Sequence, residues 1–241
     1  MKFDVISIFP EFFEGPLSCG MLRVARAKGI LRINIINPRD FASDRVVDDY
    51  QFGGGAGMVF KPEPLTEAIK SVRTAESLLV NLTPKGKRLD QTIVKDLIRK
   101  KHIIILCGRY KGIDERITQI FDPMEISVGD YVLSGGETGA LVLIESVTRL
   151  LPGVLGNRDS ADTDSFGGNL LEAPIYTRPE AFRRKKVPPI LRSGDHNRIA
   201  DWRRRKSIEI TLARKPELLN EEIFSEKDLQ ILLEVLNGKN S

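Results

Sequence analysis

The apolar positions of this chain change period several times. Short β-branched or continuous apolar runs occur at Phe3–Ile8, Leu31–Ile36, Ser77–Leu82 and Ile103–Leu106, and another begins at Ile126. Between them the apolar residues recur three and four apart, as in Leu17–Lys28, Leu65–Val72, Asp90–Lys100, Ile113–Ile120 and Glu137–Leu151. The first kind of pattern predicts strands and the second helices. Pro10 suits a first helical turn, Gly29 a helix end, and Pro152-Gly153 a stop. Ile103–Leu106 has no polar residue on either face, the signature of a strand covered on both sides. Strands alternating with helices predict an α/β fold, a mostly parallel sheet with helices on both faces, over residues 1–156. Within it, Asn37–Pro64 shows no period and holds Gly53-Gly54-Gly55-Ala56-Gly57. It is expected to be a long irregular stretch, either a flexible flap beside a binding pocket or a mobile surface loop.

The pattern fades after Gly156. Residues 157–170 are small, polar and acidic, with almost nothing to bury, and read as a linker. From 171 to 241 the chain predicts a small helical domain. One helix is capped near Ser193 or Asp195, with Ile199, Trp202, Ile208 and Leu212 placed to pack and Arg203–Lys206 spread round its surface. The last opens with the capping pattern Ser225-Glu-Lys-Asp228 and ends at Gly238.

Three of the predicted strands run into glycine-bearing loops. These are Leu82-Thr83-Pro84-Lys85-Gly86, Cys107-Gly108-Arg109-Tyr110-Lys111-Gly112, and Ser127-Val128-Gly129-Asp130-Tyr131-Val132-Leu133-Ser134-Gly135-Gly136. In open α/β sheets, ligands bind beyond the carboxyl ends of the strands, so three such loops converging would form a pocket. Val128, Val132 and Leu133 can form an apolar slot. Gly129, Gly135, Gly136 and Gly139, lacking Cβ, let backbone approach a bound molecule. That suits a flat heteroaromatic ring held at its edge. The plainer alternative is three tight connections in which glycine serves only the turn.

Composition narrows the class. With 41% hydrophobic and 29% charged residues the chain is an ordinary globular sequence. No run approaches the ~18 apolar residues of a membrane span, and MKFDVISIFPEF reads as a first strand rather than a signal peptide. Cys19 and Cys107 show no pairing pattern, which favours a reducing, cytoplasmic setting. His102 and His196 are too far apart to suggest zinc. The net charge of +4 is unevenly placed: Tyr176–Lys206 holds 11 Lys/Arg against three acids (11 − 3 = +8), and Ser207–Ser241 holds four against seven (4 − 7 = −3). A concentrated basic stretch is the footprint of a phosphate-backbone partner. Neither G-x-x-x-x-G-K-[ST], G-x-G-x-x-G nor G-x-S-x-G occurs, which disfavours P-loop, dinucleotide-binding and serine-hydrolase chemistry. An enzyme acting on nucleic acid with a nucleotide-like cofactor fits what remains.

CGRYKGIDERI, SVGDYVLSGGE, RLLPGVLG, Asp164-Ser-Phe, YTRPE and VPPILRSGDH, in this order, resemble the bacterial tRNA (guanine-N1)-methyltransferase family, TrmD, of the SPOUT class. The resemblance runs from ISIFPEFF to RKPELL. It implies a trefoil-knotted sheet domain, S-adenosylmethionine as methyl donor, tRNA as substrate with methylation at N1 of guanine 37, and a homodimer with its active site at the subunit interface. It places Leu82, Thr83, Pro84 and Gly86, then Gly108, Tyr110 and Gly112, then Ser127, Val128, Gly129, Tyr131, Val132, Leu133, Gly135 and Gly136 on the donor-binding loops. It sets Asp164 on the catalytic aspartate, Arg149 on the arginine attending the target base, and Asp49 and Glu172 on acidic positions implicated in activity. Arg203, Arg204 and Arg205 are taken as tRNA contacts from the charge count. Lys111 departs from the pattern, since the family usually has Glu after Gly-Arg-Tyr. That puts a local contact in doubt and leaves a Mg²⁺ requirement open. From residue type alone, Asp159 and Asp162 are alternative bases. A related methyltransferase acting on another RNA nucleotide and a non-catalytic RNA-binding protein remain rival readings.

Overall fold

The computed structural model describes residues 1–154, 164–166, 170–219 and 224–238. The chain divides into two compact units, Met1–Gly156 and Asn157–Ser241.

The first unit is built on five parallel strands: β1 (Lys2–Ile6), β2 (Arg32–Ile36), β5 (Ser77–Arg88), β6 (His102–Cys107) and β7 (Met124–Ser127), in the order β2-β1-β6-β5-β7. β6 lies at the centre and every residue in it is buried. Its alternation assigns the two core layers. Ile103 and Ile105 join Phe3, Val5 and Val80 against α2 (Gly20–Ala27), α4 (Gln91–Leu97) and α6 (Glu137–Arg149). Ile104 and Leu106 join Ile6 and Leu79 against α3 (Pro62–Val72) and α5 (Glu115–Phe121). The predicted parallel sheet with helices on both faces is therefore present.

Three local expectations change. Leu17–Lys28 is not one helix. A single turn, α1 (Glu14–Leu17), stops at Ser18, Cys19 is extended, and α2 starts at Gly20, whose φ is +55°. Asn37–Pro64 is not irregular throughout. After a 3-10 turn at Pro38–Phe41, β3 (Asp48–Tyr50) pairs antiparallel with β4 (Met58–Phe60). Val47 and Phe60 are buried at the base of this hairpin, and its glycines form the tip. Glycine masked the pattern, because only three residues on each side alternate. Finally, Thr83–Lys87 continues β5 rather than ending it. Leu82 and Lys87 both pair with Ile126 of β7, so residues 83–86 bulge out between them.

The second unit packs α7 (His196–Arg214) on α8 (Glu226–Gly238) around Leu170, Ile208, Ile231 and Val235. Asp195 caps α7 by accepting from the Arg198 N–H. Ser225 and Asp228 form the expected reciprocal cap on α8: Asp228 accepts from the Ser225 N–H at 3.0 Å, and the Asp228 N–H donates to Ser225 Oγ at 3.2 Å. Of the four residues expected to pack, Ile208 is fully buried and Leu212 lies against the same cluster. Trp202 meets Tyr176 with ring centroids 6.4 Å apart, and Ile199 is half-buried. A short hairpin, β8 (Ala181–Phe182) and β9 (Lys185–Lys186), precedes α7.

The arginine run of α7 differs from the expectation of a solvated surface. Arg204 makes a two-pronged pair with Asp228 at 2.7 and 3.0 Å. Arg205 reaches Glu209 at 3.2 Å and Glu234 at 2.6 Å, and Lys206 reaches Glu209 at 2.5 Å. The pairs to Asp228 and Glu234 hold α8 to α7, while those to Glu209 lie within α7. The hydrogen bonds from Arg204, joined by those from Ser225, hold the Asp228 carboxyl at about 2, below its usual 3.8. A depressed folded-state value means stability present above the unfolded value and lost as pH falls. The Asp228 side chain is only 9% exposed, and the shift corresponds to roughly 2 kcal/mol. The second unit is expected to lose that much between about pH 4 and pH 2. Asp228→Asn should flatten this part of its acid-unfolding curve.

Candidate active site

The three glycine-bearing segments do come together. The bulge of β5, the loop after β6 and the loop from β7 to α6 enclose a cavity of about 240 Å³ at the carboxyl ends of the strands. Of the fifteen residues predicted for the donor pocket, fourteen line it, so the clustering extends to all three loops. Leu82, Val128, Val132 and Leu133 supply its apolar wall, with Tyr110 and Tyr131 beside them. Gly86 is the exception. A Cβ there would lie 2.5 Å from the Glu125 carbonyl carbon, so this glycine exists for contact with β7.

The same is true of glycines that do line the cavity. A Cβ on Gly136 would sit 2.7 Å from Cys107 Cα, and one on Gly135 would sit 2.5 Å from both Arg109 Cδ and Glu137 Oε2. Such distances are below any real Cβ contact. Sequence reasoning assigned these glycines to ligand approach, whereas here they let one piece of chain pass against another. The Gly136 N–H donates to the Gly108 carbonyl at 2.9 Å, and Arg109 and Gly135 form an isolated antiparallel bridge.

Under this crossing lies a buried ionic brace that the sequence did not reveal. Glu137 is 1% exposed and opens α6. Ser7, just after β1, donates to its Oε1 at 2.7 Å, and Arg109 Nε donates to its Oε2 at 3.0 Å. The Arg109 guanidinium also lies 4.5 Å from the centre of the Phe9 ring. One carboxylate therefore fastens the end of β1, the loop after β6 and the start of α6. A charged residue set between Gly135-Gly136 and the apolar face of α6 was the available signal.

The β3–β4 hairpin is joined to the same loop. Phe60 N–H donates to the Gly112 carbonyl at 3.0 Å, Lys111 N–H to Met58 at 2.9 Å, and Asp114 N–H to Phe60 at 3.1 Å. Tyr110, held at φ +61°, packs edge-on against Phe60. Burial, followed by the nearby Asp48 carboxylate, pushes the Tyr110 hydroxyl above its ordinary value. Burial likewise raises the Cys107 thiol well above its usual value, with Glu137 adding to the effect. Cys107, 3% exposed within the hydrophobic core, is thus ill-suited to act as a nucleophile.

The remaining predicted residues fall elsewhere. Arg149 is exposed in the last turn of α6. Asp49 is exposed on β3, where it accepts from the Tyr50 N–H at 2.8 Å. In the second unit, Asp164, Glu172, Arg203 and Arg204 line a separate cavity of about 650 Å³ with Tyr176 and Ser207. The Glu172 N–H donates to Ser165 Oγ at 3.0 Å, which ties the segment after Leu170 to the Asp164 turn. Arg205 does not line this cavity; it is held in the ion pairs of α7 and α8. Asp159, Asp162 and most of the 157–170 linker lie outside the described residues. Among the described residues no His/Cys/Asp/Glu group could hold a metal ion, and no helix is long and apolar enough to cross a membrane.

Comparison with known proteins adds an independent line. A family profile described as tRNA (Guanine-1)-methyltransferase TrmD matches residues 1–221. The chain is 45% identical over 237 residues to a tRNA (guanine-N(1)-)-methyltransferase of Dictyoglomus turgidum, covering 98% of this chain and 96% of that one. It is 48% identical over 221 residues to the enzyme of that name from Carboxydothermus hydrogenoformans, covering 91% and 87%. With that of Geobacillus kaustophilus it shares 46% over 238 residues, covering 97% and 98%. With its parallel sheet, three-loop cavity and end-to-end similarity to these enzymes, the chain belongs to the tRNA (guanine-1)-methyltransferase TrmD family.

Proposed function

We propose that this protein transfers a methyl group from S-adenosylmethionine to N1 of guanine 37 in tRNA. The observation that carries this reading is the three-loop cavity within a chain of this family. The fit to the donor rests on the lining: an apolar slot flanked by backbone, suited to adenine, with the Glu115 and Glu125 carboxylates on the same walls to meet an ammonium group. When bound, the donor supplies an already activated methyl group, so no metal is required for the transfer.

The acceptor needs help, because guanine N1 carries a proton at neutral pH. Asp164 is assigned as the base that removes it, and Arg149 as the cation that stabilises the negative charge developing at O6. Asp164 and Glu172 share the second unit's cavity with Arg203, a setting of opposite charges suited to a base edge and its phosphate. We further propose that the protein acts as a homodimer, with Asp164 of one subunit completing the donor site of the other.

The direct test is to incubate the protein with labelled S-adenosylmethionine and a tRNA transcript bearing guanines at 36 and 37, then map the product. 1-Methylguanine at position 37 is expected. Methylation elsewhere would favour a related RNA methyltransferase, and no incorporation with intact RNA binding would favour a binding protein.

Lys111 is expected to be dispensable as a side chain. Its backbone N–H bonds Met58, while its stem runs beside Gly57 and its ammonium is free to extend into water. Lys111→Glu should leave turnover similar or tighten donor binding. A loss beyond ~100-fold, about 2.7 kcal/mol, would mean the site has been rebuilt around the lysine.

A further inference from the structure

The basic segment Tyr176–Lys206 contains two runs of four cations that the sequence cannot tell apart, and the structure separates them. In α7, three of the four residues from Arg203 to Lys206 are held by carboxylates of the same unit. A phosphate would have to compete with Asp228, Glu209 and Glu234 for those cations. In the β8–β9 hairpin, Arg183, Arg184, Lys185 and Lys186 are all exposed, and none forms an ion pair among the described residues. The nearest acid in sequence, Glu180, is taken by Arg192 at 2.5 Å.

The turn itself is unusual for its residues. Arg183 and Arg184 have φ of +44° and +64°. Two consecutive left-handed residues make the two-residue turn that suits the twist of a hairpin, and Asn-Gly is the sequence that adopts it with least strain. Here both positions carry guanidinium groups instead. Phe182, next to them, is 64% exposed, and the Arg183 guanidinium lies 5.4 Å from its ring centre. An aromatic face under a guanidinium orients the group while leaving its N–H edge for an acceptor.

We infer that the β8–β9 hairpin, rather than the arginine run of α7, is the principal phosphate-gripping element for tRNA. This rests on the tRNA-methylating reading above and assigns its backbone contact to one loop. Arg204 and Arg205 fasten α7 to α8, Lys206 is paired within α7, and Arg203 faces the second cavity without such a pair among the described residues.

The turn's conformation supplies a clean test. Glycine takes positive φ without strain, so Arg183→Gly/Arg184→Gly removes two charges while relaxing the backbone. Equilibrium binding of the full-length protein to tRNA is measured across a salt series, without methyl transfer, alongside thermal unfolding and S-adenosylmethionine binding. The double glycine variant should melt no lower than the parent and bind the donor equally well. Its tRNA affinity at low salt should fall about 10- to 100-fold, and its log–log salt slope should flatten by about 1.4–1.8, that is, 0.7–0.9 for each lost phosphate contact. Arg205→Gln should leave the slope nearly unchanged. The inference is overturned if the hairpin variant keeps the parent slope, or if Arg205→Gln flattens it equally. Transfer of the lost binding to anionic lipid vesicles in place of tRNA would also overturn it. If the parent binds tRNA through the hairpin but methylates a different nucleotide, the proposed function fails and the hairpin contact stands. A parent that shows no salt-dependent tRNA binding would remove both.

Discussion

Replacing Asp164 with alanine is expected to lower turnover by about 10²–10⁴-fold while leaving S-adenosylmethionine binding where it was. The expectation follows from the roles proposed above: the base would act on guanine, whereas the cavity proposed for the donor is lined wholly by the first unit. Raising the pH should recover part of the loss, since guanine N1 then ionises without assistance. Arg149→Ala should cost turnover without that recovery, because it would act on charge rather than on the proton. The assignment across subunits is tested by mixing. Gly129→Trp has no room in its own loop, as even a Cβ there would meet Tyr131 Cζ at 2.9 Å, so this variant should lose donor binding. Subunit exchange between Asp164→Ala and Gly129→Trp should then restore activity, because a mixed dimer holds one site free of both defects. Mixed dimers without recovered turnover would place each site within a single chain. Full activity of Asp164→Ala at every pH would make Asp162 the next candidate base.

Glu137→Ala should be nearly as damaging by a different route. It leaves the Arg109 guanidinium, 20% exposed, without its carboxylate and removes the acceptor for Ser7. Breaking a buried pair from one side costs about 3–5 kcal/mol, a large share of the stability of most domains. Thermal unfolding should shift down accordingly, and donor affinity should fall with it, because the brace holds the loops after β6 and β7 together. Removing both partners should cost less than the sum of the two single losses, since no orphaned charge remains. Additive losses would mean that the two groups do not act as one brace.

The strands of the main sheet and most of its covering helices were legible because each carries a clean period, unlike the short β3–β4 and β8–β9 hairpins. After His102, β6 is an unbroken apolar run, and α3, α4 and α6 have their apolar residues three and four apart. The three cavity loops were legible because glycine followed three strands in turn. What those glycines do was not, since whether a missing Cβ faces a ligand or another chain segment depends on contacts remote in sequence, such as Gly136 against Cys107. Glu137, Arg109 and Ser7 were missed for the same reason: they are up to 130 positions apart. The +8 count identified a basic region but could not show that Asp228, Glu209 and Glu234 would engage part of it. The expectation of a knot and the assignment of Asp164 as base came from family resemblance, and neither has a local signature.

The close crossing at Gly86, Gly135 and Gly136 also bears on what this cavity can learn to accept. Part of its frame is main chain packed against main chain, at Gly86 and Gly136, and one carboxylate braces the crossing, so its width is not set by rotamers alone. Trading Leu82, Val132 or Leu133 for other residues would alter the texture of the walls but hardly move them apart. A ligand entering such a slot loses little to reorganising it. Analogues thickened across the ring plane should be refused whichever side chains line the loops, while those extended along the open edge should be tolerated.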